Sequence, residues 1–114
     1  MKNIKYITLI VILFYACQTK TSFLVKNKTP NLLDSIKVTN GYDSLIIRKI
    51  EKNEIKTFNF QFTDLTPNYD GTFYIEVYPE KRVKSFGYYS NGIQPNTQFF
   101  IEIKESSISV EEKN

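Results

Sequence analysis

The sequence predicts an all-β fold, a small antiparallel β-sandwich of about eight short strands and of immunoglobulin-like size. Three observations support this prediction. After residue 16 the chain contains no alanine, the strongest helix former, whereas Ile, Val, Thr, Tyr and Phe are frequent. Short runs that alternate between apolar and polar residues recur along the chain. Turn-forming Gly, Pro, Asn and Asp separate these runs at regular spacing.

The strand predictions depend on apolar residues at every second position, bounded by turn residues. In chain order the eight runs are residues 22–27, 34–39, 42–50, 54–62, 72–78, 82–90, 97–104 and 107–110. Their inward positions supply one apolar layer between two sheets. The predicted core consists of Phe23, Val25, Ile36, Val38, Leu45, Ile47, Phe58, Phe60, Phe62, Phe73, Ile75, Val77, Phe99, Ile101, Ile103 and Ile108.

The second and third runs form a predicted hairpin. Asn40 and Gly41 lie between them, and this pair favours a two-residue type I′ turn, in which both central residues need positive φ. The third run contains three successive apolar residues at 45–47. Because a continuous apolar stretch is typical of a buried strand, we expect this strand to be covered on both faces.

The later runs carry their own signals. Three phenylalanines at every second position of the fourth run predict a wall of the core. The stretch 63–71, with Pro67 and Asp70, is the longest predicted loop. Gly87 lies within the sixth run, which predicts a bulge or a close approach of another chain segment. The last two runs bury Phe99, Ile101 and Ile103, and then Ile108 and Val110, and they complete the sandwich.

The amino terminus has the features of an export signal. Lys2 and Lys5 precede an apolar stretch at 6–16, and the small Ala16 precedes Cys17, which is the only cysteine. A stretch of 11 residues is shorter than the roughly 20 that a membrane-spanning helix needs. Two alternatives remain open, namely an uncleaved anchor and an ordinary signal that is cut elsewhere.

Residues 13–17, Leu-Phe-Tyr-Ala-Cys, resemble the lipobox of bacterial lipoproteins. The resemblance implies cleavage between Ala16 and Cys17, lipidation of Cys17 and stable anchoring by several acyl chains. A residue other than Asp after the cysteine, here Gln18, implies transfer to the outer membrane. We therefore expect a signal peptide at 1–16, a lipidated cysteine with a short tether at 17–22, and a domain at 23–114 on the periplasmic face of the outer membrane.

Composition excludes several functions. Removing residues 1–16 changes the balance from 15 basic and 12 acidic residues to 13 and 12, so no basic patch for nucleic acid is expected. The chain has no histidine, and lipidation of Cys17 would leave it without a thiol. A histidine-dependent triad, a cysteine nucleophile and a zinc site built from histidine or cysteine are excluded. Asp64, Asn68 and Asp70 are ordinary turn residues, and we expect no enzyme, cofactor or metal site.

The candidate binding surface is rich in tyrosine. Tyr74 and Tyr78 occupy the outer face of the fifth run, and Phe86, Tyr88 and Tyr89 lie on the sixth. Pairing of these strands would bring Tyr74 or Tyr78 beside Tyr88. Exposed tyrosines provide rigid contact area with a polar tip, although they also stabilise sheets without any ligand. The predicted ligand-binding residues are Tyr74, Tyr78, Tyr88, Tyr89 and Asn91.

Two functions fit these features. The first is a non-enzymatic envelope module that binds a protein, as an inhibitor, an immunity factor or an accessory subunit. The second is a carbohydrate-binding or structural lipoprotein. A flat aromatic face favours a protein partner, whereas a groove with one tyrosine beside amide or acid groups favours a glycan. The sequence does not determine the oligomeric state.

Overall fold

Eight strands build the domain. The structure, a computed structural model, describes residues 20–113, and the predicted signal peptide at 1–16 and Cys17 lie outside the described residues. No helix in the described range is long and apolar enough to cross a membrane. The strands are β1 Thr21–Asn27, β2 Leu33–Thr39, β3 Ser44–Ile50, β4 Ile55–Phe60, β5 Gly71–Tyr78, β6 Arg82–Tyr89, β7 Thr97–Ile103 and β8 Ile108–Lys113. Each overlaps a predicted run, but β8 continues to Lys113, three residues beyond the run predicted at 107–110, because residues 111–113 pair with β7.

The strands form two four-stranded sheets, as a sandwich requires. The first sheet has the order β4-β1-β7-β8 and the second has the order β3-β2-β5-β6. All neighbouring strands are antiparallel except β1 and β7, which run parallel from Thr21 and Thr97. The predicted sandwich is therefore confirmed, with one parallel pair that a purely antiparallel arrangement does not contain.

Phe23, in the middle region of β1, is the centre of the core. Its ring stacks on Phe58 and on Phe99, its register partners in β4 and β7, with ring centroids 5.3 Å apart in each pair. From the second sheet, Phe73 and Phe86 meet it edge-on at 5.7 and 5.9 Å. Stacked and edge-to-face contacts are the favoured aromatic geometries, so these rings join the two sheets.

Burial confirms the predicted core and extends it. Every predicted core residue is buried or packs against the buried cluster. Four further large side chains are buried, namely Leu33, Ile50, Phe86 and Tyr89. Leu33 and Ile50 are register partners in β2 and β3. Alternation fails just before Ile50 because Lys49 has a φ of 57°, and Ile50 turns into the core.

β3 is an edge strand, so the expectation that both its faces are covered is wrong. Leu45 and Ile47 pack against the core, whereas Ile46 points outward with 53 % of its surface exposed. Successive side chains of a strand point to opposite faces, and no third layer covers the outer face of this sheet in the described part of the chain. Arg48 and Lys49 follow as exposed charges, which discourage pairing with another edge.

The predicted type I′ turn at Asn40 and Gly41 is also wrong. β2 and β3 are joined by four residues, 40–43, and only Gly41 among them has a positive φ. The side-chain oxygen of Asn40 accepts hydrogen bonds from the backbone N–H groups of Tyr42 and Asp43, at 3.0 and 2.7 Å. These bonds satisfy the loop locally and hold it in the longer conformation.

Gly87 forms the predicted bulge and close approach. Its φ is 69°, and the pairing of β5 with β6 shifts register between Gly71 and Phe73. A Cβ atom on Gly87 would lie 2.9 Å from the ring of Phe99. The extra residue changes the phase of β6, so that Tyr88 points outward and Tyr89 points inward.

Candidate functional site

Tyr74 and Tyr88 are exposed on the outer face of the second sheet, with 39 % and 61 % of their surfaces in solvent. Tyr74 in β5 pairs with Ser85 of β6, and Tyr88 lies three residues further along β6. The two tyrosines therefore occupy neighbouring strands, as predicted, but they are not direct cross-strand partners. The bulge at Gly87 separates them along the sheet.

Tyr78 lies away from this pair. It is four residues beyond Tyr74 on the same strand, a distance of about 13 Å at the rise of an extended chain. Its hydroxyl group donates a hydrogen bond of 2.7 Å to Glu76. That bond, together with partial burial and the nearby negative charge, raises the pKa of Tyr78. The expected meeting of Tyr78 with Tyr88 does not occur.

Tyr89 is part of the core, so it does not lie on the exposed surface where the sequence placed it with Tyr88. Only 4 % of its surface is exposed. The ring packs against Phe62 and Phe73, and the hydroxyl group donates a 2.8 Å hydrogen bond to the backbone oxygen of Asn40. Burial, with smaller effects from neighbouring charged or ionisable groups, raises the pKa of this phenol. Phe86, which the sequence placed in the same surface cluster, is buried as well.

Asp70 links two of the predicted site residues. Its carboxylate accepts a hydrogen bond from the hydroxyl group of Tyr88 at 3.0 Å and another from the backbone N–H of Asn91 at 2.9 Å. Asn91 is exposed in a turn and has a φ of 54°. Tyr88, Asp70 and Asn91 therefore form one exposed polar cluster at the end of β6. Asp70 lies in a predicted turn, and nothing in the local sequence indicates its bonds to Tyr88 and Asn91.

Two exposed aliphatic residues share the face with the tyrosines. Ile46 of β3 and Val83 of β6 are 53 % and 55 % exposed. They belong to one row across the sheet, in which Lys37 and Glu76 lie between them. Apolar and charged side chains thus alternate over the face, as in interfaces of proteins that associate without being permanently bound. We call Ile46, Tyr74, Val83 and Tyr88 the sheet surface.

A second group of exposed apolar residues lies where β1 begins. Loops 40–43, 61–70 and 90–96 all lie at this end of the sandwich, which we call the Thr21 end, because the strands that they connect begin or end there. Each loop exposes at least one large apolar side chain. These residues, which we call the loop surface, are Tyr42, Leu65, Tyr69 and Ile93. Most of these residues lie in predicted turns, whereas Tyr42 lies at the start of the third predicted strand, and no local sequence pattern indicates that they share a surface.

A buried carboxylate joins two of these loops. Asp43 accepts hydrogen bonds from the backbone N–H of Thr63 at 2.9 Å, from the hydroxyl of Thr66 at 2.5 Å, and from the hydroxyl of Thr63. The side-chain amide of Asn40 donates to Thr66 at 2.8 Å. Burial raises the pKa of Asp43, but the hydrogen bonds outweigh it, and the pKa lies below the ordinary value of an aspartate.

The described residues give no support to metal chemistry. In the range 20–113 no three side chains among His, Cys, Asp and Glu converge as a metal site requires. A shallow depression at the Thr21 end is lined by Phe62, Thr63, Asp64, Thr66, Pro67, Asn68 and Gly92. The polar side chains that line it belong to loop 61–70, and the exposed tyrosines of the sheet surface do not line it.

Comparison with known proteins gives no family. No family model matches the chain, and no curated protein matches it. The chain is similar to the NMR structure of a protein from Eubacterium rectale, with 18 % identical residues. That similarity covers 82 % of this chain and 88 % of the other chain, with a TM-score of 0.42. A likeness at this level assigns no activity, so the function has to be argued from the residues described above.

Proposed function

We propose that this protein is a lipid-anchored lipoprotein of the bacterial cell envelope, attached through Cys17, and that its sandwich binds a protein partner without catalysis. The anchor is supported by the length of the apolar stretch at 6–16, by Ala16 and by the position of the only cysteine. A non-catalytic role is supported by the lack of histidine throughout the sequence.

The sheet surface is the single observation that carries the binding proposal. Tyr74 and Tyr88 present large side chains with hydroxyl tips on one open face, and Ile46 and Val83 extend that face across the sheet. Tyrosine is enriched in protein interfaces because its ring buries much area and its hydroxyl group still finds a hydrogen-bond partner. The backbone beneath these side chains is fixed by strand pairing on both sides of β5. Such a surface is preorganised for a partner.

A glycan ligand is the second candidate, and one cluster favours it. The hydroxyl group of Tyr88 donates to the carboxylate of Asp70, which also accepts a hydrogen bond from the backbone N–H of Asn91. One aromatic ring next to acid and amide groups is an arrangement that suits a sugar. This cluster is smaller than the sheet surface and lies at one end of it.

Site-specific crosslinking tests the protein partner. A photo-crosslinking amino acid replaces Ser85, which is exposed and pairs with Tyr74, and in a control it replaces Thr57, which is exposed on the first sheet. The proposal predicts a discrete crosslinked envelope protein from position 85 that is absent from position 57. The substitutions Tyr74→Ala and Tyr88→Ala should reduce its yield several-fold.

Other outcomes of this experiment are informative. Equal crosslinking from positions 85 and 57 would contradict a specific sheet surface. Retention on isolated cell-wall glycan that is lost in Tyr88→Ala, without any crosslinked protein, would favour the glycan candidate. Tyr88→Phe is the matched variant for that test, because it keeps the ring and removes only the hydroxyl bond to Asp70.

A further inference from the structure

We infer that the loop surface at the Thr21 end contacts the lipid bilayer, so that the domain stands on Tyr42, Leu65, Tyr69 and Ile93 with the sheet surface turned sideways. This inference rests on the proposed lipid anchor at Cys17. It adds an orientation and a second membrane contact, which the anchor alone does not supply. The occupant of the loop surface is thus a phospholipid bilayer.

The chain enters the domain beside one of the loops that form the loop surface. The backbone N–H of Lys20 donates to the side-chain oxygen of Asn96 at 3.3 Å, and the N–H of Thr97 donates to the backbone oxygen of Lys20 at 3.1 Å. The hydroxyl of Thr21 donates to the backbone oxygen of Pro95 at 2.5 Å. The entry point is therefore fixed to the same loop, 90–96, that exposes Ile93.

The short tether leaves little freedom of orientation. Three residues, 18–20, lie between Cys17 and Thr21, and the four Cα-to-Cα steps of an extended chain span at most about 14 Å. That reach is about twice the depth of the interfacial region of a bilayer, which is about 5 to 8 Å on each side. An anchored Cys17 therefore holds the Thr21 end, rather than the opposite end of the sandwich, next to the lipid.

The loops at this end form one rigid unit. The N–H of Gly92 donates to the backbone oxygen of Tyr69 at 2.8 Å, which joins loop 90–96 to loop 61–70. A Cβ on Gly92 would overlap the backbone of Pro67, so these two loops touch. Asp43 joins loop 61–70 to loop 40–43, as described above. The backbones of the three loops that carry the four apolar side chains are thus tied to one another.

The chemistry of these side chains suits the boundary between water and lipid. Leu65, Tyr69 and Ile93 are 68 %, 69 % and 64 % exposed, values among the highest for large apolar residues in the described chain. Tyrosine concentrates at membrane interfaces, with its ring among the acyl chains and its hydroxyl in the headgroups. The charges nearby, including Lys20 and Asp64, are mixed. Contact should therefore depend on apolar burial and persist at raised salt.

Tryptophan fluorescence tests this orientation, because the natural chain contains no tryptophan. The full-length variants Leu65→Trp and Ile93→Trp are purified with their acyl chains and reconstituted into vesicles of phosphatidylethanolamine and phosphatidylglycerol that contain doxyl-labelled lipid. Ile55→Trp is the control, since Ile55 is exposed at the opposite end of the sandwich. We expect blue-shifted emission and loss of intensity to the quencher in the first two variants, and neither change in the control.

Intact mass of the same samples separates this inference from the proposed anchor. If Cys17 is acylated but L65W and I93W are quenched no more than I55W, the orientation is wrong and the anchor stands. If Cys17 is not acylated, the proposed anchor is wrong. The unacylated variants are then mixed with the same vesicles, and quenching of their tryptophans tests the lipid contact by itself. Quenching would then support the loop surface as a lipid contact, and its absence would overturn it. Blue-shifted emission without vesicles in a dimeric protein would assign the loops to a second copy and overturn the inference.

Discussion

The hydroxyl group of Thr66 donates a 2.5 Å hydrogen bond to the buried carboxylate of Asp43, across 23 residues of sequence. This bond connects the loop between β2 and β3 with the long loop between β4 and β5. Thr63 adds two further bonds to the same carboxylate. The conformation of the loops at the Thr21 end therefore depends on one acidic side chain, so a single substitution at Asp43 tests it.

The substitution Asp43→Asn should lower the free energy of unfolding by about 2 kcal/mol. A hydrogen bond to a charged group contributes about 1.5 to 3 kcal/mol, and the amide of asparagine replaces one acceptor oxygen by a donor nitrogen. Chemical denaturation at neutral pH measures the change. Asp64→Asn is the matched control, since Asp64 is exposed, and it should alter stability by no more than about 0.5 kcal/mol. Equal effects of the two variants would contradict the network.

The lowered pKa of Asp43 predicts a dependence on pH. Its contribution to stability is complete above the pKa of an unfolded aspartate, about 3.9, and is lost as the pH falls through the lower folded value. The difference in unfolding free energy between the natural protein and Asp43→Asn should therefore shrink below about pH 4. Denaturation curves over an acid pH series test this, and a difference that stays constant would show that the charge of Asp43 plays no part.

Substitutions at two glycines distinguish the cost of backbone strain from the cost of steric overlap. Gly41 and Gly87 both have positive φ, but a Cβ on Gly41 has no neighbour within 4 Å, whereas one on Gly87 meets Phe99. Gly41→Ala should cost about 1 kcal/mol of stability. Gly87→Ala should cost about 2 to 4 kcal/mol, because overpacking of the core adds to the strain. Thermal unfolding of both variants compares them, and equal losses would argue against the close approach.

The adjacent tyrosines Tyr88 and Tyr89 should respond differently to loss of their hydroxyl groups. Tyr89→Phe leaves the buried oxygen of Asn40 without its donor and should cost about 1 to 2 kcal/mol. Tyr88→Phe removes an exposed bond to Asp70 and should change stability by less than about 0.5 kcal/mol. Chemical denaturation of the two variants measures their unfolding free energies. A larger loss in Tyr88→Phe than in Tyr89→Phe would contradict the assignment of Tyr89 to the core.

The strands were predictable because apolar and polar side chains alternate along a strand that has one buried face. Phe23 and Val25, or Phe73 and Ile75, point to the side where a partner sheet lies, and every predicted core residue is buried or packed against the core. Strand position within the sheet was not predictable in the same way. Ile46 is as apolar as its neighbours, and only the pairing of β2 with β5 on the other side leaves β3 at the edge.

The candidate site was predicted in part. Tyr74 and Tyr88 are exposed as expected, but Tyr89 is not, since the bulge at Gly87 reverses the alternation for the residues that follow. The bulge was predicted, and carrying its phase change forward would have placed Tyr89 inside. The loop surface depends on contacts between segments far apart in sequence, such as Asp43 with Thr66, and no local pattern indicates them.

The intact mass of the protein extracted from membranes, beside that of a Cys17→Ser variant, tests the proposed anchor most directly. We expect that the natural protein lacks residues 1–16, carries the added mass of acyl chains and fractionates with the membrane, whereas the variant carries no acyl mass. A natural protein that retains residues 1–16 and has no acyl chains would contradict lipidation at Cys17. The envelope location would then lose its basis, and the lipid contact of the loop surface would depend on the vesicle experiment alone.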